Sequence, residues 1–265
     1  MNSPWHLLVM GLPSSGKSTF IAALYHKLRQ PTGPWRLTRL PDERDYLIDL
    51  EEQWLSLNPL GRSGHHGPKN VRLDIVANTG EFQLNIPDIV GEDYEIAWES
   101  GDWSEPVLGA IRESQGILLC VRSDTVTEAT LIEVAPKEQP TTVEVRKPWE
   151  AKDAPTQAIL CDLLEQVREI RLGHLPPTAI LVNAWDAVAE VGLTPDAWLA
   201  WQLPLLSQWL RSQPDVTHRV FGISSQGGDV RKQEVQKELA QSPHERPIPK
   251  NGHDLTAPLE WLRNP

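Results

Sequence analysis

The chain has 265 residues, a formal net charge of −11 and two cysteines, Cys120 and Cys161. A chain this long buries a sizeable core without disulfide or metal staples, and two cysteines at this spacing form neither a disulfide framework nor a metal motif. An acidic surface repels phosphate backbones, so no nucleic-acid partner is expected.

His6 to Met10 is an apolar run that reads as a short buried strand, and it is too short for a signal peptide or a membrane span. No lipidation pattern stands at either end, so a cytoplasmic protein without a membrane anchor is expected. Lys17 to Gln30 places Phe20, Ile21 and Leu24 on one face of a helix that Pro31 stops. Residues 31 to 42 look irregular. Arg44 to Leu57 repeats apolar residues at Leu47, Leu50, Trp54 and Leu57, a helical period, and residues 58 to 70 look like a loop. Val71 to Ala77 and Glu81 to Ile86 alternate apolar and polar residues around Asn78-Thr79-Gly80, which predicts a β-hairpin.

Pro87 to Ser104 is expected to be irregular, Glu105 to Gln115 helical, and Gly116 to Val121 a buried strand. Thr125 to Lys152 is polar and charged, as in a surface insertion. An amphipathic helix is predicted over Pro155 to Arg171 and a strand over Thr178 to Asn183. Thr194 caps a further helix with Pro195 at its first position; this helix runs towards Ser212 with a break at Pro204. Arg219 to Ile223 reads as a strand, residues 226 to 254 as irregular, and Leu255 to Leu262 as a closing helix. Eleven tryptophans against three phenylalanines and three tyrosines serve either as core filling or as anchors for a protein partner.

Gly11-Leu12-Pro13-Ser14-Ser15-Gly16-Lys17-Ser18 matches G-x-x-x-x-G-K-[ST] in full, after a strand and at the start of a helix. In such a loop the backbone N–H groups of residues such as Pro13's neighbours Ser14 and Ser15, and those leading to Thr19, point inward at phosphates, with the positive helix terminus behind them. Gly11 and Gly16 let the backbone turn, Lys17 reaches the β- and γ-phosphates, and the Ser18 hydroxyl ligates magnesium. With strands alternating with helices apart from one hairpin, the pattern predicts an α/β chain. The expected architecture is a three-layer P-loop NTPase fold: a mostly parallel sheet, one antiparallel hairpin strand and helices on both faces. One domain over residues 1 to 265 is expected, with insertions at 31–70, 125–152 and 226–254.

Asp88-Ile89-Val90-Gly91 follows the hairpin, where an Asp at the strand end faces the phosphate site and holds magnesium through water, and the Gly91 N–H senses the γ-phosphate. Asn183-Ala184-Trp185-Asp186 ends a later strand, and a carboxylate there can accept two hydrogen bonds from guanine. Ser224-Ser225 stands after the next strand, in reach of the base. Strand-end turns rich in Asn, Asp and Ser are the competing reading for these segments. Adjacent His65-His66 in a loop rarely converge on one metal ion without help.

These pieces in this order resemble the Ras-like GTPases of the translation-factor-related class, over about residues 5 to 263. The opening run Gly11 to Leu24 and the helical insertion before the hairpin are similar to the bacterial double-GTPase families of predicted conflict and defence systems. The resemblance implies GTP/GDP and Mg2+ as cofactors, with Ser18, Asp88 and a switch hydroxyl, Ser63, on the metal side. It also implies a role beside a second GTPase or an effector. A homo- or hetero-dimer through the nucleotide face is expected, and in a GTP switch Trp98 and Trp103 would be partner contacts. The sequence departs from the family at two positions. Ala184 stands where Lys would pack over the base, leaving Trp185 as a substitute for stacking, and Glu92 stands where a Gln often orients water. With Lys17, Gly91 and Glu92 as the catalytic set, and Arg62 as the candidate arginine finger in cis, slow or partner-dependent hydrolysis is expected. A degenerate G domain without turnover and a P-loop kinase are the alternatives.

Overall fold

The computed structural model describes residues 4–31, 33–57, 69–77, 80–129 and 153–265. Seven strands form one sheet: β1 (Trp5–Met10), β2 (Arg36–Leu37), β3 (Lys69–Ala77), β4 (Gly80–Asp88), β5 (Gly116–Arg122), β6 (Thr178–Asn183) and β7 (His218–Ile223). Their order is β2-β3-β4-β1-β5-β6-β7. Strand β1 pairs in parallel with β4 and β5, β5 with β6, and β6 with β7. Strand β3 runs antiparallel to both β4 and β2. This is the predicted mostly parallel sheet with one reversed hairpin strand.

The central strands are apolar on both faces, as strands covered by helices on both sides must be. Leu7, Val9, Leu118, Cys120, Ala179 and Leu181 pack on one side, with Phe20 and Leu24 of α1 (Lys17–Arg29), Trp54 of α2 (Arg44–Leu55) and Leu259 of the last helix. The alternate residues Leu8, Met10, Ile117, Leu119, Ile180 and Val182 pack on the other. There they meet α3 (Gly91–Ser100), α4 (Glu105–Glu113), α5 (Thr156–Ile170), α6 (Pro195–Gln202) and α7 (Pro204–Ser212). The two-residue period of the strands thus sorts side chains into two cores. Thr194 Oγ1 accepts the Ala197 N–H, and α6 gives way to α7 at Pro204, as expected.

Three segments differ from the sequence expectation. Residues 31–42 contain β2, whose two residues are too few to show a period; the neighbouring Trp35 is buried edge-on to Phe82 and donates to Glu260. Residues 87–104 hold helix α3, which buries only Gly91, Tyr94 and Ala97 and ends at Gly101 with φ 73°. Pro87 before it and the glycines at its first position and just past its end, Gly91 and Gly101, read as loop punctuation in sequence. Residues 226–254 hold α8 (Gln233–Gln241), a polar helix pinned by Leu239 to Leu57 and Val230. The chain closes with α9 (Ala257–Arg263). Most of the 125–152 insertion and the turn at 78–79 lie outside the described residues. Among the described residues, no helix is long and apolar enough to cross a membrane.

Candidate nucleotide site

Between β1 and α1 the backbone turns through left-handed positions, Ser14 at φ 60° and Gly16 at φ 94°. A Cβ on Gly16 would come 3.0 Å from the Asn183 side chain, so the close approach of loop and β6 requires glycine. Gly16 is the N-cap of α1 and supplies no side-chain cap, and the first turn carries no acidic residue. With glycine at the N-cap, α1 opens at the positive end of its dipole with no capping side chain from that residue, a setting suited to an anion.

Lys17 is 7% exposed. Its ammonium is folded over the loop, donating to the carbonyls of Gly11 at 2.7 Å and Leu12 at 3.1 Å. It stands 5.9 Å from the centroid of the Tyr94 ring. Tyr94 is fixed in turn by its hydroxyl, which donates to Val9 O at 2.9 Å. Asn183, at the end of β6, donates from Nδ2 to Ser15 O at 2.8 Å. One strand end thus braces the loop from a second side.

The next turn sets the far end of the site. Ser123 holds the backbone there: its N–H donates to Asn183 O at 3.0 Å and its hydroxyl to Ala184 O at 2.7 Å. Ala184 adopts φ 53° and swings the chain into a 3₁₀ turn over Trp185–Ala187. This leaves Asp186 half-buried, with one carboxylate oxygen accepting the Ser224 hydroxyl. Ser225 O accepts the Trp54 indole N–H at 2.8 Å, tying α2 to this loop. The side-chain hydroxyls of Ser15 and Ser225 are buried without a partner among the described residues, a costly state unless water or a ligand meets them.

A single pocket of about 710 Å3 runs along these groups. Ser14, Gly16 and Thr19 line it at the loop, then Asn183, Ala184 and Asp186, then Ser225. Residues 226–235 contribute further lining, so the segment expected to be irregular forms part of the site. Pro13 and Ser15 line a separate pocket of about 180 Å3 with Cys120. Burial pushes the Cys120 thiol up to about 11, so it stays neutral. Ser18 is half-buried in the first turn of α1.

Helix α3 is seated directly on the loop: a Cβ on Gly91 would lie 2.4 Å from Pro13 N and 2.7 Å from Leu12 C. Asp88 ends β4, three residues before; its side chain, with Arg62, Ser63 and His65-His66, lies outside what is described. In the first turn of α3 stand Glu92 and Asp93. Burial, then the charge of Glu92, push the Asp93 carboxyl above its ordinary range, while Lys17 opposes the shift. Asp93 is a site residue that no sequence motif marks. Its signal was only its place two residues past the D-x-x-G glycine.

One expectation is corrected. Trp185 is fully buried, its ring against Gly222 and its N–H donating to Lys250 O at 2.9 Å, so it stacks on no base. Trp98 and Trp103 are half-buried, each resting one side on the second core. Trp103 meets Tyr94 edge-on and donates to Gln166 at 2.9 Å.

Among the described residues, no group of three or more His, Cys, Asp or Glu side chains could hold a metal ion.

The three-layer sheet with a phosphate loop between β1 and α1 defines the P-loop class of α/β folds. Within that class, the family model of Double-GTPase 1 matches residues 8–262, and the chain belongs to this family. No curated protein sequence matches it at a significant level. Membership in a GTPase family implies GTP and GDP as the ligands.

Proposed function

We propose that the chain is a GTP-binding switch with slow or partner-dependent hydrolysis. The observation that carries the reading is one pocket lined both by the loop at the start of α1 and by Asp186, whose carboxylate accepts the Ser224 hydroxyl. Triphosphate binds at Gly11 to Thr19, Lys17 leaves the carbonyls of Gly11 and Leu12 for the β- and γ-phosphates, and Asp186 accepts hydrogen bonds from guanine. Ser224 aims that carboxylate, and Ser225 lies beside the base. Magnesium sits on Ser18, with Asp88 and Ser63 as further candidates.

Helix α3 is the moving part of the proposed switch, because Gly91 touches the loop that the γ-phosphate must enter. Glu92 beside that phosphate is repelled by it, so turnover is slow until a partner, a second GTPase or an effector, completes the site. A cytoplasmic role in a bacterial conflict or defence system, in a dimer formed through the nucleotide face, fits the same reading. Phosphate release under single-turnover conditions tests it: slow release that a partner accelerates is expected. Tight GTP binding with no release would instead favour a nucleotide-binding domain without turnover, the reading that Glu92 and Ala184 motivate.

A further inference from the structure

Beside Asp186 the pocket has only a methyl group at Ala184, and Arg122, Asp124, Asp229 and Arg231 line it as well. Arg231 is held by its edge. Its Nε donates to Asp229 Oδ1 at 2.8 Å and its Nη2 to Asp229 Oδ2 at 3.2 Å, and its backbone N–H donates to Asp229 Oδ1 at 3.2 Å. Its Nη2 also lies 3.8 Å from Asp124 Oδ2. Asp124 is itself gripped by Arg122, at 2.5 and 3.2 Å. Yet the Arg231 side chain is 68% exposed. Exposed ion pairs add little to folding, so the pairing is better explained by what it orients than by what it stabilises.

Hydrogen bonds in the guanidinium plane leave both faces of that plane free, and those faces stack on aromatic rings. Two carboxylates next to the guanidinium offset its charge, which makes it a poor phosphate ligand and a good cover for a neutral base. We infer that Arg231 closes the base end of the pocket, its plane lying against the purine ring of the bound nucleotide and supplying the cover that Ala184 lacks. The segment between β7 and α8 then sets base affinity, although it lies outside every nucleotide motif in the chain.

This rests on the GTP-binding reading, and calorimetric titration of the full chain and its R231A variant separates the two. Each protein is titrated with GTP and, in a second series, with inorganic tripolyphosphate, which has no base. The inference predicts that R231A binds GTP about tenfold more weakly and binds tripolyphosphate as the unaltered chain does. Equal GTP affinity in the two proteins would overturn it, as would an equal loss for both ligands, which would make Arg231 a phosphate contact. Failure of the unaltered chain to bind GTP would remove the parent reading and this one with it.

Discussion

Gly91 and Pro13 stand so close that a single methyl group on Gly91 would reach within 2.4 Å of the Pro13 nitrogen. This contact joins the first turn of α3 to the phosphate loop with no side chain between them. Gly91→Ala should therefore lift α3 from the loop. Overpacking of this kind costs about 1–3 kcal/mol, to be read in denaturant unfolding, and hydrogen exchange in α3 should quicken. Unchanged stability and exchange would mean that the two backbones are not in contact.

Asn183 binds the carbonyl of Ser15 across the sheet. Asn183→Ala removes the donor and leaves a buried carbonyl unpaired, at a cost of about 1–3 kcal/mol. Triphosphate affinity should fall along with stability, because the loop loses its brace. Loss of stability alone, with affinity kept, would show that the brace does not shape the anion seat.

Asp186→Asn should weaken GTP by at least about tenfold, the loss expected when a charged hydrogen bond in a partly buried site is removed. It should also shift preference towards xanthosine triphosphate, whose base carries an oxygen where guanine carries the amine. A competition titration with the two nucleotides reads this out, and an unchanged preference would discard the base-reading role.

Asp254 ties α9 to α1. It pairs with Lys27 at 2.8 Å and accepts the Thr256 N–H at 2.9 Å and hydroxyl at 2.8 Å. Burial pushes its carboxyl up, but Lys27 and Thr256 outweigh this and hold it below the ordinary value of 3.8. A depressed folded value means that the stabilisation is complete above the unfolded value and is lost as pH falls through the folded one. Asp254→Asn should therefore lower the melting temperature near neutral pH by a few degrees, and the gap from the unaltered chain should close below about pH 4. A gap that widens on acidification would contradict this ion-pair account.

The long elements were legible in the sequence because one force set each of them. A six-residue apolar run such as Gly116 to Val121 is of strand length and suits burial on both faces, and Thr194-Pro195 marks a helix start by capping chemistry. Helices α3 and α8 were not legible. α3 carries little period, and α8 is a short, polar helix with one buried side chain inside a Gly-, Pro- and charge-rich segment; tertiary contacts at Tyr94 and Leu239 hold them in place. At the site, the loop and the ends of β4 and β6 were readable as motifs. Arg231 was not, because its place in the pocket depends on how the 226–235 segment folds back. Trp185 was misread for the same reason: sequence gives its position after β6 but not the space beside Gly222 that takes its ring.

The most direct test of the account is an equilibrium titration of the purified chain with fluorescent GTP and magnesium, competed by unlabelled GTP and ATP, alongside Lys17→Ala. The account predicts saturable binding that GTP reverses, that ATP leaves largely in place, and that Lys17→Ala abolishes. Absence of saturable binding, or equal binding by Lys17→Ala, would contradict it.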